Sequence, residues 1–186
     1  ADFTVLETGI YKAAALRQAT ETEVALVGIG EVDKIVPKRA TFTKFYQGPV
    51  EADDVMRIAD WNNDDPARCS RAVVSGATLL GILESGAVVE DEESGHFHPY
   101  AVSGLTLTYH LDEPEGERVS DVICADGSPL KPEKLYSISW LQDAMPEEGF
   151  SEVEHLELTL AEAMEMKIRE EQKLVPERKA ITFKRQ

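Results

Sequence analysis

The sequence predicts an α+β fold in which mixed sheets pack with helices, and three phrases between Val73 and Phe150 carry that prediction. In Val73 to Glu84 a β-branched run reaches Ser75-Gly76, and then Leu79, Leu80 and Leu83 recur at helical spacing. This is a buried strand turning tightly into an amphipathic helix. In Val102 to Tyr109, Leu105, Leu107 and Tyr109 alternate with threonines, the period of a half-buried strand. Asp126-Gly127 then closes Val119 to Ala125 against the next segment, a strong short-range hairpin signal.

Ile10 to Ala19 reads as a short helix with Arg17 toward its C-terminal turn. Val24 to Ile29 is a continuous apolar run that ends at Gly28-Ile29-Gly30, hence a buried strand leaving through a glycine turn. The two glycines lack the third of a dinucleotide fingerprint, and Glu31 stands where a phosphate would be repelled. Thr41 to Tyr46 reads as a strand, Gly48-Pro49 as a turn, and Asp53 as the N-cap of a helix over Asp54 to Ala59. Asp60 to Pro66 is a loop by its Asn, Asp and Pro content.

After the Ser75 to Glu84 helix comes an acidic loop, Glu90 to Gly95, and then His96-Phe97-His98, which would aim two imidazoles at one face of a strand. That pair is a weak candidate for a transition metal, because no third ligand follows at a set spacing. Arg118 to Ala125 and Leu135 to Leu141 are predicted to pair as central strands about the Asp126-Gly127 hairpin. Leu156 to Leu174 has the apolar spacing of a long surface helix, stopped by Val175-Pro176, and Ala180 to Phe183 gives a last short strand.

At 186 residues the chain suits one domain, spanning 1–186, or two small lobes, about 1–70 and 71–186, that share a core. With 42% hydrophobic and 29% charged residues it is neither disordered nor low-complexity, and it has no apolar run long enough to span a membrane. A formal charge of -16 argues against nucleic acid as a partner, since phosphate neutralisation needs a basic stripe. It is compatible with a solvated surface or with docking to a basic protein face. Two cysteines, Cys69 and Cys124, make no disulfide framework; each is either a free thiol at a strand edge or half of a single bridge. The Ala1 start suits a processed or excised chain.

In order and wording these phrases resemble the C-terminal domain of the 5'-nucleotidase and UDP-sugar hydrolase family. The matching residues are Ser75 to Glu84, Val102 to Leu105, Arg118-Val119, Asp126 to Leu130 and Tyr136. A weaker likeness extends to Gly48-Pro49-Val50 and to Leu160 to Pro176. The resemblance implies a substrate-recognition domain. Trp61 and Asn63 match in type the family's base-stacking ring and its neighbouring amide, while a Trp after a helix is also a common seal for a core rim. The family's flexible glycine loop beside the base corresponds to Gln142 to Phe150. Only Gly149, preceded by Glu148, survives of its glycines, Pro146 stiffens it, and the second stacking ring would have to come from Trp140. Glu31-Val32-Asp33 stands where the family carries a substrate-holding arginine.

In such proteins hydrolysis belongs to a separate N-terminal metallophosphatase domain that holds two divalent metals. Its Asp-x-His and Gly-Asn-His phrases do not occur here, and no catalytic residue or cofactor is assigned to this chain. The expected partners are a nucleoside or nucleotide, bound weakly, and either a catalytic metallophosphatase domain or a basic protein. The alternative is a structural or assembly subunit that keeps the fold and has lost the pocket. The resemblance implies a secreted, periplasmic or cell-surface setting, with a processed organellar chain as the other option.

Overall fold

In a computed structural model of the chain, residues 2–29, 43–59, 66–87, 99–110, 112–176 and 180–184 are described. The first helix, α1 (Val5–Thr20), begins five residues earlier than its apolar spacing predicts because Thr4 caps it. The Thr4 hydroxyl accepts the Glu7 N–H at 3.1 Å and the Glu7 carboxylate accepts the Thr4 N–H at 2.7 Å, so two orphan donors are satisfied reciprocally. The helix stops at Glu21, whose φ of 55° turns the chain into β1 (Val24–Gly28). Of the strand expected over Thr41 to Tyr46, residues 41 and 42 lie outside the described residues and 43–46 are not a strand. Phe45 instead meets Phe3 and Tyr11 edge-on, with centroids 5.4 and 5.6 Å away.

The second helix, α2 (Ala52–Ala59), starts before Asp53 and is not capped by it. The Asp54 carboxylate reaches back to the Glu51 N–H at 3.2 Å. Strand β2 (Arg68–Ser75) and helix α3 (Gly76–Ser85) meet as the sequence predicts, with the Ser75 hydroxyl accepting the Thr78 N–H at 3.1 Å as N-cap. Gly76 is needed for close approach: a Cβ there would lie 2.1 Å from the Lys131 carbonyl oxygen.

Val102 to Tyr109 is two strands and not one. Strand β3 (Tyr100–Ser103) pairs with β1, and after Gly104, β4 (Leu105–His110) enters a different sheet beside β5 (Val119–Cys124). Gly104 has φ +91°, and a Cβ on it would meet the Glu23 carbonyl oxygen at 1.9 Å. The alternation of apolar residues survives the change of sheet, which is why the sequence pattern does not reveal it.

The Asp126-Gly127 turn forms, but its return arm is only 128–130. The Cys124 N–H donates to the Ser128 carbonyl at 2.8 Å and the Leu130 N–H to the Val122 carbonyl at 2.9 Å. Pro129 and Pro132 have no N–H to extend the ladder. The chain then crosses to the other sheet as β6 (Leu135–Leu141), so the predicted pairing of Arg118–Ala125 with Leu135–Leu141 is corrected: β6 pairs with β1 and β2.

The predicted long helix from Leu156 is also corrected. Ser151–Thr159 is strand β7, in which Leu156 and Leu158 alternate onto the core, and helix α4 (Leu160–Glu171) starts where Thr159 and Glu162 form a second capping box. Gln172, at φ 55°, ends it ahead of Val175-Pro176. Strand β8 (Ile181–Lys184) closes the chain.

The strands make a five-stranded mixed sheet, β3-β1-β6-β2-β7, and a three-stranded mixed sheet, β5-β4-β8. Within them β1 runs parallel to β6 and β4 parallel to β8. Successive β1 residues point to opposite faces of the large sheet. Val24 and Leu26 join Ile138, Trp140, Leu79, Leu83 and the small-sheet residues Leu107 and Tyr109. Ala25 and Val27 join Tyr11, Leu16, Ile58, Leu160 and Met164 from α1, α2 and α4. This is the α+β arrangement of mixed sheets packed with helices.

Candidate functional site

Because β1 and β6 are parallel neighbours, their C-terminal ends reach one edge of the large sheet together. The start of β2 lies there too, with Cys69 opposite Leu141. Three connections leave this edge: the chain after Ile29, the link between Ala59 and Pro66, and the loop after Leu141. Connections at the carboxyl ends of adjacent parallel strands are a recurrent place for ligands. Trp61 and Asn63 belong to the second connection and lie outside the described residues, as do Glu31-Val32-Asp33 and the His96 and His98 pair.

The third connection is described in full. Its first turn is tied down by the Gln142 N–H donating to the Arg68 carbonyl at 2.9 Å and the Ala144 N–H donating to the Leu141 carbonyl at 3.0 Å. Met145 then enters the core, and a Phe150 N–H to Glu147 carbonyl bond of 3.2 Å closes the second turn. Gly149 keeps the left-handed backbone that favours glycine, φ +77°, and packs near Thr78 of α3. Glu148 is exposed beside it.

Trp140 is fully buried, its ring meeting Phe150 edge-on at 5.2 Å and 84°. The ring expected to supply a second stacking surface thus lies in the core in this structure and is not presented to solvent. Met145 and Phe150 of this loop pack into the same core cluster as Trp140.

A polar row beneath this loop was not foreseen from the sequence. Trp140, Ser70 and His155 are cross-strand neighbours on β6, β2 and β7. The Ser70 hydroxyl is 2.9 Å from His155 Nδ1, and His155 Nε2 lies 3.8 Å from the Glu147 carboxylate. Serine, imidazole and carboxylate stand in line, yet Ser70 is completely buried and cannot reach a substrate. The row ties the loop to the sheet. The only sequence signal for it is the alternation of Ser151 to Thr159, which the helical spacing from Leu156 masks.

Among the described residues no cluster of three or more His, Cys, Asp or Glu side chains is placed to hold a metal. Cys69 and Cys124 are both free thiols, one on β2 and one on β5, so the option of a bridge between them is closed. Burial pushes the Cys69 thiol up to about 12, with the Glu162 carboxylate adding to the shift. No helix among the described residues is long and apolar enough to cross a membrane.

Comparison with known structures finds the same fold in several enzymes. The 5'-nucleotidase precursor from Thermus thermophilus superposes with a TM-score of 0.74 at 18% identity, over 98% of this chain and 38% of that one. The NAD nucleotidase of Haemophilus influenzae gives 0.72 at 13% identity, over 97% of this chain and 33% of that one. The sulfate thiohydrolase SoxB of Thermus thermophilus gives 0.63 at 16%, over 97% and 32%. The chain thus spans between about a third and two fifths of these proteins. A search of curated proteins returned no match. The family model "5'-nucleotidase, C-terminal domain" matches residues 6–142, well over half of the sequence, and the chain belongs to that family.

Proposed function

We propose that this chain is a non-catalytic recognition domain that holds a nucleoside or nucleotide for a metallophosphoesterase centre carried outside these 186 residues. The observation that carries the proposal is the shared edge formed by the ends of β1 and β6 and the start of β2, from which all three candidate connections depart. Trp61 stacks on the base, Asn63 offers its amide to a base edge or ribose hydroxyl, and Glu148-Gly149 borders the site from the third connection. The neighbours named as 5'-nucleotidase and NAD nucleotidase are consistent with such a ligand. The sulfate thiohydrolase shows that the fold also occurs in a protein named for other chemistry, so the substrate class rests on Trp61 and Asn63 and not on the fold. Divalent metals belong to the catalytic centre, and the chain alone hydrolyses no nucleoside monophosphate or UDP-sugar. A secreted, periplasmic or cell-surface setting goes with this proposal.

One ring stack contributes about 1 to 3 kcal/mol, and a millimolar dissociation constant corresponds to about 4 kcal/mol, so affinity for the separate domain is no better than about millimolar. The test is titration of adenosine, uridine and AMP against tryptophan emission in the wild type and in Trp61→Leu. Saturable quenching that disappears in the variant is expected. A folded chain showing no quenching with several tens of millimolar ligand refutes the proposal.

The burial of Trp140, with Phe150 against its ring, favours one alternative, an assembly subunit that keeps the fold without the pocket. A charge of -16 would then dock to a basic protein, and association would weaken with salt, since exposed charges are screened over about 10 Å at about 0.1 M. Pull-down at low and at high salt distinguishes the two.

A further inference from the structure

A second concavity, of about 210 Å³, lies at the opposite end of the large sheet, where α1 ends and β1 and β6 begin. Arg17 and Glu23 line it together with Gly104, Cys124, Lys134 and Tyr136. Three of its four charged groups have partners within the protein. The Glu23 carboxylate accepts the Lys134 ammonium at 3.3 Å and the Ser137 N–H at 2.9 Å. The Asp126 carboxylate, also on the rim, accepts both the N–H and the hydroxyl of Ser128, at 2.8 and 2.6 Å. Lys134 sits 4.5 Å above the Tyr136 ring as well. Arg17 differs: its Nε–H is buried without a protein acceptor, and among the described residues its guanidinium joins no ion pair.

A cation in the last turn of a helix is explained by the helix dipole, because the terminal carbonyls carry partial negative charge. A buried N–H with no acceptor is not explained by it, since burying an unsatisfied donor is costly. Gly104 makes room for the group. Its missing side chain leaves the Arg17 Cδ only 3.0 Å from where a Cβ would stand. With both carboxylates committed, the uncompensated charge in the cleft is that of the arginine. A guanidinium offers Nε–H and a terminal N–H as a parallel fork that matches two oxygens of a carboxylate or phosphate.

We infer that this cleft is a binding site for a small oxyanion, gripped by Arg17 with Lys134 beside it, and separate from the edge proposed for the nucleoside. The chain's overall negative charge opposes anion entry, so binding is of millimolar strength and is weakened by salt. The half-buried Cys124 thiol in the same cleft gives a direct readout, and the fully buried Cys69 is an internal control for folding.

The experiment follows N-ethylmaleimide labelling of Cys124 in the 186-residue chain by peptide mass, at constant ionic strength, with inorganic phosphate, acetate or chloride. The labelling rate should fall with phosphate by the factor of free to total sites, about tenfold at ten times the dissociation constant. Arg17→Gln should abolish the protection while Cys69 stays unlabelled. Protection by acetate as well would extend the site to carboxylates, and protection by phosphate alone would restrict it to tetrahedral anions. No protection by either anion up to about 50 mM, a concentration that would reveal even weak millimolar binding, overturns the inference. So does equal protection in Arg17→Gln. If that variant exposes Cys69 and has lost its fold, Lys134→Gln is judged by the same two criteria.

Discussion

Gly104→Ala tests the sheet switch on which the two-sheet architecture depends. Two costs add. The backbone at φ +91° disfavours a Cβ, which in left-handed conformations costs about 1 to 2 kcal/mol for an L-residue. The Cβ would also stand 1.9 Å from the Glu23 carbonyl oxygen, far inside contact distance, and the obstacle is backbone that cannot rotate away. Overpacking of this kind costs about 1 to 3 kcal/mol, so the total is about 2 to 5 kcal/mol, centred on about 3. That is a large part of the 5 to 15 kcal/mol or so typical of a folded domain.

Gly127→Ala is the matched control. Its φ is +82°, but nothing lies within 4 Å of the added carbon, so only the backbone cost remains. Urea unfolding followed by far-UV circular dichroism reads the difference. With a slope of about 2 kcal/mol per molar urea, Gly104→Ala should lower the midpoint by about 1.5 M and Gly127→Ala by about 0.5 M. If the two midpoints fall within about 0.2 M of each other, the contact with Glu23 is not a constraint, and a steric need for glycine between β3 and β4 is refuted.

Three further outcomes concern the caps, the thiols and the tryptophans. Hydrogen bonds from the Thr159 N–H and hydroxyl hold the Glu162 carboxyl below its ordinary value, so its contribution is present at neutral pH and is lost as pH falls through the depressed folded-state value; the melting-temperature gap between wild type and Glu162→Gln should narrow as pH falls through and below the ordinary carboxylate range. With its thiol buried and pushed up to about 12, Cys69 stays protonated at pH 8 and should resist alkylation until denaturant is added, whereas the more accessible Cys124 should be alkylated in the folded chain. In Trp61→Leu the remaining tryptophan is Trp140, and its emission should be poorly quenched by iodide because the ring is fully buried; strong quenching would mean that the 142–150 loop does not cover it.

Local chemistry made most of the fold legible. The strand-to-helix turn at Ser75-Gly76, the apolar run that becomes β1, and the Asp126-Gly127 turn each depend on residues within a few positions of one another. Partner choice was not legible. Leu135 to Leu141 has the pattern of a central strand wherever it pairs, and only the tertiary structure places it between β1 and β2 instead of beside β5. Thr4 and Glu7, and Thr159 and Glu162, are both Thr-x-x-Glu capping boxes written plainly in the sequence. Taken as helix starts, they put the beginning of α1 at Val5 and that of α4 at Leu160, and they free Ser151 to Thr159 to be a strand.

The site divides along the same line. Residue type suggests what a side chain can do, so Trp61 and Asn63 can be proposed from sequence, but whether a ring faces solvent depends on what folds across it. Trp140 shows the difference. Its place at the end of β6 is where a stacking ring would be useful, and the loop after it decides otherwise. A glycine-rich loop has no side chains to bury and stays open beside a ligand, whereas this one carries Met145 and Phe150, whose apolar surface is stabilised by packing against the sheet. In the function proposed above, a nucleoside would then meet the one aromatic face of Trp61 in place of two, which is the physical reason for the weak affinity given there.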